Sequence, residues 1–318
     1  MNNIISEIKK SNNIVLLCHN NPDGDAIGST LSMYHVLKKI GKEVDVVIEG
    51  TPTKFNFIEG YQNIKTTSDK KYNLGIILDT ASKERLNNPN NIIENINKTI
   101  VIDHHSSNTK YGDLNYIDNK PACCEIVYNL IQEMDIELDE IISIPLCTGL
   151  LTDTGGLSHP DVKPSTYQVV ANLSKIVDIP SIHKKVLGTI SREQFELNKI
   201  ATKNLEFYKN NQISFTYITE EDLNKLNLER NEADILCNLG RNIKEIEVAI
   251  FIRKYNDENR VSLRSNNNID VNEIAKLFDC GGHKNAAGIT STMEFSKLKE
   301  KLIEEVGKKI DEWNSSNK

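Results

Sequence analysis

Imidazoles and carboxylates concentrate in a few short stretches of the chain. The first is His19-Asn20-Asn21-Pro22-Asp23-Gly24-Asp25. A lone Asp79 follows, then Asp103-His104-His105, and finally Asp153 just ahead of Gly155 and Gly156. Carboxylate and imidazole together suit a borderline-hard divalent ion, and Mn²⁺ fits that mixture, with Mg²⁺ or Co²⁺ as alternatives. One ion needs about three or four such ligands, so this set is large enough for two. A pair of ions about 3.5–4 Å apart can clamp a phosphoryl group and activate water. The chemistry expected is therefore metal-assisted hydrolysis of a phosphoester, with the isolated Asp79 as the natural bridging ligand.

Taken singly, each residue also has a structural reading. Asp23 or Asp25 can cap a helix. Asp79 can close a turn at a strand end, and Asp153 with its two glycines can do the same. His104 and His105 can be satisfied core histidines. What these readings do not explain is the recurrence of such residues at successive strand ends.

Those strands are legible as short apolar runs at 14–18, 43–50, 74–80 and 99–105. Between the first two, Ile27, Leu31, Tyr34 and Leu37 recur at helical spacing until Gly41. Further helical patterns cover 122–134, 139–151 and 164–177. Apolar strands alternating with helices predict an α/β domain, a parallel sheet with helices on both faces, over residues 1–185. Ligands of such sheets bind beyond the carboxyl ends of the strands. His19, Asp79 and Asp103-His104-His105 all fall there, and only the second strand delivers nothing. The segment 19–29 also places Asp23 and Asp25 at a helix N-terminus, where negative charge is favoured.

A breaker-poor stretch at about 181–209 reads as one long helix, and 186–209 as a helical connector. Residues 210–318 then read as a smaller α+β domain, with strands at 213–219, 247–254 and 260–265 and helices at 232–239, 270–278 and 296–313. Its chemical feature is the loop Cys280-Gly281-Gly282-His283, in which glycine lets backbone approach a ligand. Arg264 and Ser265 lie at a strand end upstream, and arginine suits bidentate contact with phosphate. Glycines 281 and 282 alone could equally be a helix stop.

Composition narrows the function. The chain has 318 residues and a net charge of −7, with no basic excess to grip long nucleic acid. Short RNA or a small nucleotide is the expected partner, and long-duplex DNA and membranes are not. No apolar run is long enough to span a bilayer, and the N-terminus lacks a secretory pattern. The six cysteines form no Cys-x-x-Cys pair and sit in apolar surroundings, which fits a reducing, cytoplasmic setting. P-loop, dinucleotide-binding and Gly-x-Ser-x-Gly signatures are absent from the sequence.

Together the motifs resemble the DHH phosphoesterase family, named for the run that here is Asp103-His104-His105. His19, Asp23 and Asp25 match its first motif, Asp79 the second, residues 103–105 the third and Asp153 the fourth. The C-terminal part is similar to the DHH-associated domain, whose Gly-Gly-Gly-His loop begins here with Cys280. The resemblance covers nearly the whole chain and implies a binuclear Mn²⁺ site. It implies that His19, Asp23, Asp79 and Asp153 hold one ion, and Asp25, Asp79 and His104 the other. His105 would act beside the scissile phosphate, with Asp103 supporting the histidines from behind. Arg264, Ser265, Gly281, Gly282 and His283 would contact substrate. The two-domain form is similar to oligoribonucleases that degrade very short RNA and dephosphorylate 3′-phosphoadenosine-5′-phosphate. It is equally similar to phosphodiesterases acting on cyclic-di-AMP or its linear product. An inactive nucleotide-binding regulator would need a broken ligand set, and no motif position is missing. Relatives of this form are often homodimers.

Overall fold

The computed structural model describes residues 1–266 and 268–316. The chain divides into two units, Met1–Thr189 and Ile190–Lys318.

In the first unit, α1 (Asn2–Lys10), β1 (Asn13–Leu17), α2 (Gly24–Lys39) and β2 (Glu43–Val47) are followed by β3 (Ile64–Lys65), β4 (Leu74–Leu78), β5 (Thr99–Asp103) and β6 (Leu114–Ile117). Helices α3 (Cys123–Glu133), α4 (Glu140–Asp153), α5 (Pro164–Leu173) and α6 (Ile179–Val186) complete it. The strands form one parallel sheet in the order β3-β2-β1-β4-β5-β6. The apolar runs are buried on both faces. Ile14, Leu16, Ile76, Leu78, Ile100 and Ile102 pack under the α-helices. Val15, Leu17, Ile77 and Val101 pack under the segment holding Leu86 and Ile92, which is built of 3-10 turns at Lys83–Arg85 and Pro89–Asn95. Burying each such side chain contributes about 1.5–3 kcal/mol. The chain runs outward from β1 through β2 to β3, then resumes beside β1 at β4 and runs the other way. The crevice of such a sheet opens where the order reverses, between the carboxyl ends of β1 and β4.

Two close approaches fix α2 against α4. A Cβ on Gly28 would lie 2.4 Å from the Pro145 carbonyl oxygen, and one on Gly149 would lie 3.0 Å from the Asp25 Cα. The glycines of the first motif thus serve helix packing, because Gly24 likewise faces the Thr152 side chain.

The second unit contains α7 (Arg192–Lys203), β7 (Glu206–Tyr208), β8 (Ile213–Thr219), α8 (Glu220–Leu226), a 3-10 helix at Arg230–Asn238, β9 (Val248–Lys254) and β10 (Asn259–Ser265). It ends with α9 (Val271–Lys276), β11 (Gly281–His283), β12 (Ala286–Ser291) and α10 (Phe295–Ser316). Its sheet has the order β11-β12-β10-β9-β8-β7. Only β8 and β9 pair in parallel.

The structure departs from the sequence reading in three elements. The continuous helix expected over 181–209 is broken: α6 ends at Val186, and α7 starts anew with a capping box in which Ser191 and Gln194 satisfy each other's backbone amides. Helix α7 buries Leu197 and Ala201 in a core of the second unit, so 186–209 is no uniform helical connector. The helix expected at 232–239 is of the 3-10 type. The loop expected at 280–290 is mostly the hairpin of β11 and β12, and Asp279, with φ 55°, makes the turn that ends α9 in place of glycine.

Candidate active site

The carboxyl ends of β1, β4 and β5 deliver His19, Asp79 and Asp103 with His104 and His105, as the sequence pattern requires. Helix α2 starts at this rim and α4 ends at it. The result is a cavity of about 110 Å³ lined by His19, Asp23, Asp79, His104, His105 and Asp153, together with Arg85. Asp25 lies deeper, fully buried.

Three overlapping sets of ligand atoms converge there, each within 4.8 Å: His19, Asp23 and Asp79; Asp25, His104 and Asp153; and Asp79, Asp103, His104 and His105. Asp79 stands between the first two. Its Oδ2 is 3.6 Å from His19 Nε2 and its Oδ1 is 3.4 Å from His104 Nε2. His104 Nε2 is also 3.5 Å from Asp153 Oδ2. Asp153 lies in the set with Asp25 and His104, at the end of α4, which packs on α2.

The surroundings orient each ligand. A backbone carbonyl can only accept, so His19 Nδ1 donates to the Asn20 carbonyl at 2.8 Å and His104 Nδ1 to the Lys120 carbonyl at 3.0 Å. Both rings therefore turn Nε2 toward the carboxylates, the tautomer a metal ligand needs. Lys120 is held in turn by the buried Glu125, at 3.0 Å. Asp23 does cap α2, accepting from the amides of Asp25 and Ala26. Asp25 caps a different helix, its two oxygens accepting from the amides of Cys123 and Cys124 at 2.5 and 2.9 Å. Capping leaves lone pairs free on both carboxylates, so it does not preclude ligation.

The carboxylates and imidazoles shift one another's proton affinities strongly. Burial and the neighbouring Asp79 push Asp25 up to about 7. Burial and Asp25 push Asp153 up to about 8. Burial opposes charge on His19 and His104, but the facing carboxylates outweigh it and raise both to about 10. Asp79 is held below the usual carboxylate range, the two imidazoles overcoming its burial. Its Oδ1 is nonetheless buried without a hydrogen-bond partner, and its backbone is left-handed at φ 53°. Strained backbone of this kind gathers at functional sites. An orphaned buried carboxylate oxygen between two half-sets of His and Asp fits a divalent ion, or two.

His105 is different. Its Nδ1 lies 2.7 Å from Asp103 Oδ1, which leaves Nε2 available. Asp103 is fully buried; it accepts from the His104 amide at 2.8 Å and from Asn108 Nδ2 at 2.7 Å. Asn108 and Arg85 escaped the sequence reading. Arginine's affinity for phosphate could have flagged Arg85, whereas the Lys120 carbonyl is a backbone atom and leaves no sequence signal.

In the second unit, Arg264 and His283 both stand opposite Ala286, from the two sides of β12. Directly opposed residues point the same way. The two side chains therefore share one face, about 10 Å apart across three strands. That face is opposite Leu263, which belongs to the core under α9 and α10. Ser265 does not join them. It pairs with Val248 of that core and is 2% exposed, so its hydroxyl is not placed for the substrate contact expected of it. Gly282 is required sterically, since a Cβ there would lie 2.4 Å from the Ala286 carbonyl oxygen, while Gly281 has only Asn272 nearby, at 3.4 Å. No helix among the described residues is long and apolar enough to cross a membrane.

Comparison with known proteins accords with this geometry. Residues 13–152 match the DHH family, N-terminal domain, and residues 210–315 the DHHA1 domain. The bifunctional oligoribonuclease and PAP phosphatase NrnA of Thermus thermophilus is 27% identical, over 96% of this chain and 94% of that protein. The protein of the same name in Bacillus subtilis is 25% identical, over 90% and 91%. The crystal structure of an exopolyphosphatase-related protein from Bacteroides fragilis has the same fold, with a TM-score of 0.86 at 24% identity and 96% coverage of both chains. The chain thus carries a DHH family N-terminal domain and a DHHA1 domain. It is a hydrolytic enzyme, a phosphoesterase.

Proposed function

We propose that the protein is an Mn²⁺-dependent phosphoesterase that hydrolyses short oligoribonucleotides and 3′-phosphoadenosine-5′-phosphate to nucleoside monophosphates. The observation that carries this reading is the convergence of two His/Asp half-sets on Asp79, whose buried Oδ1 makes no hydrogen bond. His19 Nε2, Asp23 and Asp79 Oδ2 would hold one ion. Asp25, His104 Nε2, Asp153 and Asp79 Oδ1 would hold the other. When bound, the ions supply Lewis-acid activation of the phosphoryl oxygens and of water. His105, oriented by Asp103, holds a proton at Nε2 for the leaving oxygen. Arg264, Gly281, Gly282 and His283 bind the substrate's other phosphate or its nucleoside. The acidic net charge favours short substrates, and the names of the relatives point to the same class. Six free cysteines suit a cytoplasmic setting. A homodimer is part of this reading and is tested by sedimentation.

The test is a hydrolysis panel with added Mn²⁺: 3′-phosphoadenosine-5′-phosphate, an RNA dinucleotide, a longer RNA, linear pApA and cyclic-di-AMP. Asp79→Asn serves as control, since asparagine tolerates the left-handed backbone at this position. Fast turnover of the first two substrates, lost in Asp79→Asn, is expected. Dominant turnover of the di-adenylates would move the protein to the signalling phosphodiesterases. No turnover by the metal-loaded protein would overturn the assignment.

A further inference from the structure

Arg85 is a cation in a cavity otherwise lined by the candidate metal ligands, His105 and Ala81. Among the described residues it forms no ion pair, although carboxylates share its cavity. Those carboxylates face the imidazoles, so the guanidinium is left without a counter-charge.

Its backbone, by contrast, is clamped. The Asn20 amide donates to the Arg85 carbonyl at 2.7 Å, and the Asn87 amide donates to the Cys18 carbonyl at 2.9 Å. Between them, Leu86 bridges His19 in antiparallel fashion. Leu86 is buried in the core. The buried Asn87 side chain exchanges hydrogen bonds with the backbone of Glu49 at 3.1 and 2.8 Å. An exposed arginine needs no such fixing for solubility. A guanidinium that must meet a phosphoryl oxygen at a set distance from His19 does.

We propose that Arg85 contacts the phosphate of the substrate within the first unit's own cavity, opposite the candidate metal ligands. The inference rests on the phosphoesterase reading above. Planar N–H donors match phosphate oxygens bidentately, and the ordinary lysine alternative supplies only a point charge. Arg85 neutralises phosphoryl charge and fixes its orientation before attack.

The experiment compares wild type, Arg85→Ala and Arg85→Lys, each loaded with Mn²⁺. Calorimetry follows the binding of inorganic phosphate and of AMP, alongside metal content and thermal melting. Arg85→Ala is expected to keep its metal and melting temperature but to bind both probes about ten- to a hundredfold more weakly, the factor a charge-assisted hydrogen bond commands. Arg85→Lys should recover part of this. In turnover of 3′-phosphoadenosine-5′-phosphate, kcat/KM should fall by a similar factor. Equal probe affinity in wild type and Arg85→Ala overturns the proposal, as does loss of metal in Arg85→Ala, which would make the residue a prop for the His19 loop. The binding arm does not depend on turnover, so a failed hydrolysis panel would sink the function without sinking this contact.

Discussion

Gly149→Ala tests whether helix spacing sets the metal site. The new Cβ would lie 2.3 Å from Cys124 Sγ, 2.7 Å from Asp25 Oδ1 and 3.0 Å from Asp25 Cα. Cys124 is fully buried, and Asp25 is pinned by two amides, so neither yields by a side-chain rotation. Overpacking of this kind costs about 1–3 kcal/mol, and contact with backbone favours the upper end. Improved helix propensity returns up to about 1 kcal/mol. The net loss is about 2 kcal/mol, which for a unit of this size lowers Tm by roughly 4–8 °C. The displacement falls on Asp25, so an ion held by Asp25, His104 and Asp153, as proposed, should weaken first. The His19, Asp23 and Asp79 set should keep its own. Metal analysis after Mn²⁺ loading and dialysis, with a melting curve of the metal-free protein, reads both effects. About one ion per chain in place of two is expected. A lowered Tm with full metal content would show that Asp25 is not a ligand. An unchanged Tm would refute the packing argument itself.

Asn108→Ala removes the amide that donates to Asp103 Oδ2 and to the Thr80 carbonyl. A buried carboxylate short of a donor costs about 1–3 kcal/mol, and His105 loses its fixed orientation. Metal content should hold while kcat falls, and an unchanged kcat would remove His105 from proton transfer. Metal binding should also release protons. At pH 7, groups at about 10 (His19, His104) and about 8 (Asp153) are mainly protonated, and Asp25 at about 7 is half so. Ligation must expel roughly three protons. Affinity therefore falls as pH falls, and the calorimetric enthalpy should vary with the buffer's ionisation enthalpy; a buffer-independent enthalpy would refute these protonation states.

Much of the first unit was legible because its strands are buried on both faces. Runs such as Ile14-Val15-Leu16-Leu17 need no tertiary information to read as parallel strands. The rim followed from what comes after each run. Harder to read were the elements whose pattern is short or mixed. Strand β3 has two residues and β6 is a half-buried edge, so neither shows a period. The break between α6 and α7 is marked only by Gly188 and the Ser191–Gln194 cap, and Leu187 and Ile190 beside it continue the apolar pattern. In the second unit, Cys280-Gly281-Gly282-His283 looks like loop because its glycines are strand breakers by propensity. Pairing with β12 overrides propensity there, and Gly282 is tolerated because nothing larger fits against Ala286.

The grouping of these side chains was illegible for a different reason. Sequence order places Asp153 last and says nothing about which half-set it joins. That is decided by the contact of α2 with α4, where Gly28 and Gly149 let the helices approach closely enough to bring Asp153 to Asp25. The same contact has an electrostatic consequence. Burial and neighbouring carboxylates, Asp79 for Asp25 and Asp25 for Asp153, raise the proton affinity of both, a destabilising arrangement for a metal-free fold. The fold sustains it by capping α3 with Asp25 and by holding Asp79 in a left-handed backbone between the two sets. A purely structural role would be met by one carboxylate at the head of α3. The further carboxylates at this rim, with both histidines turned to present Nε2, suit a bound cation.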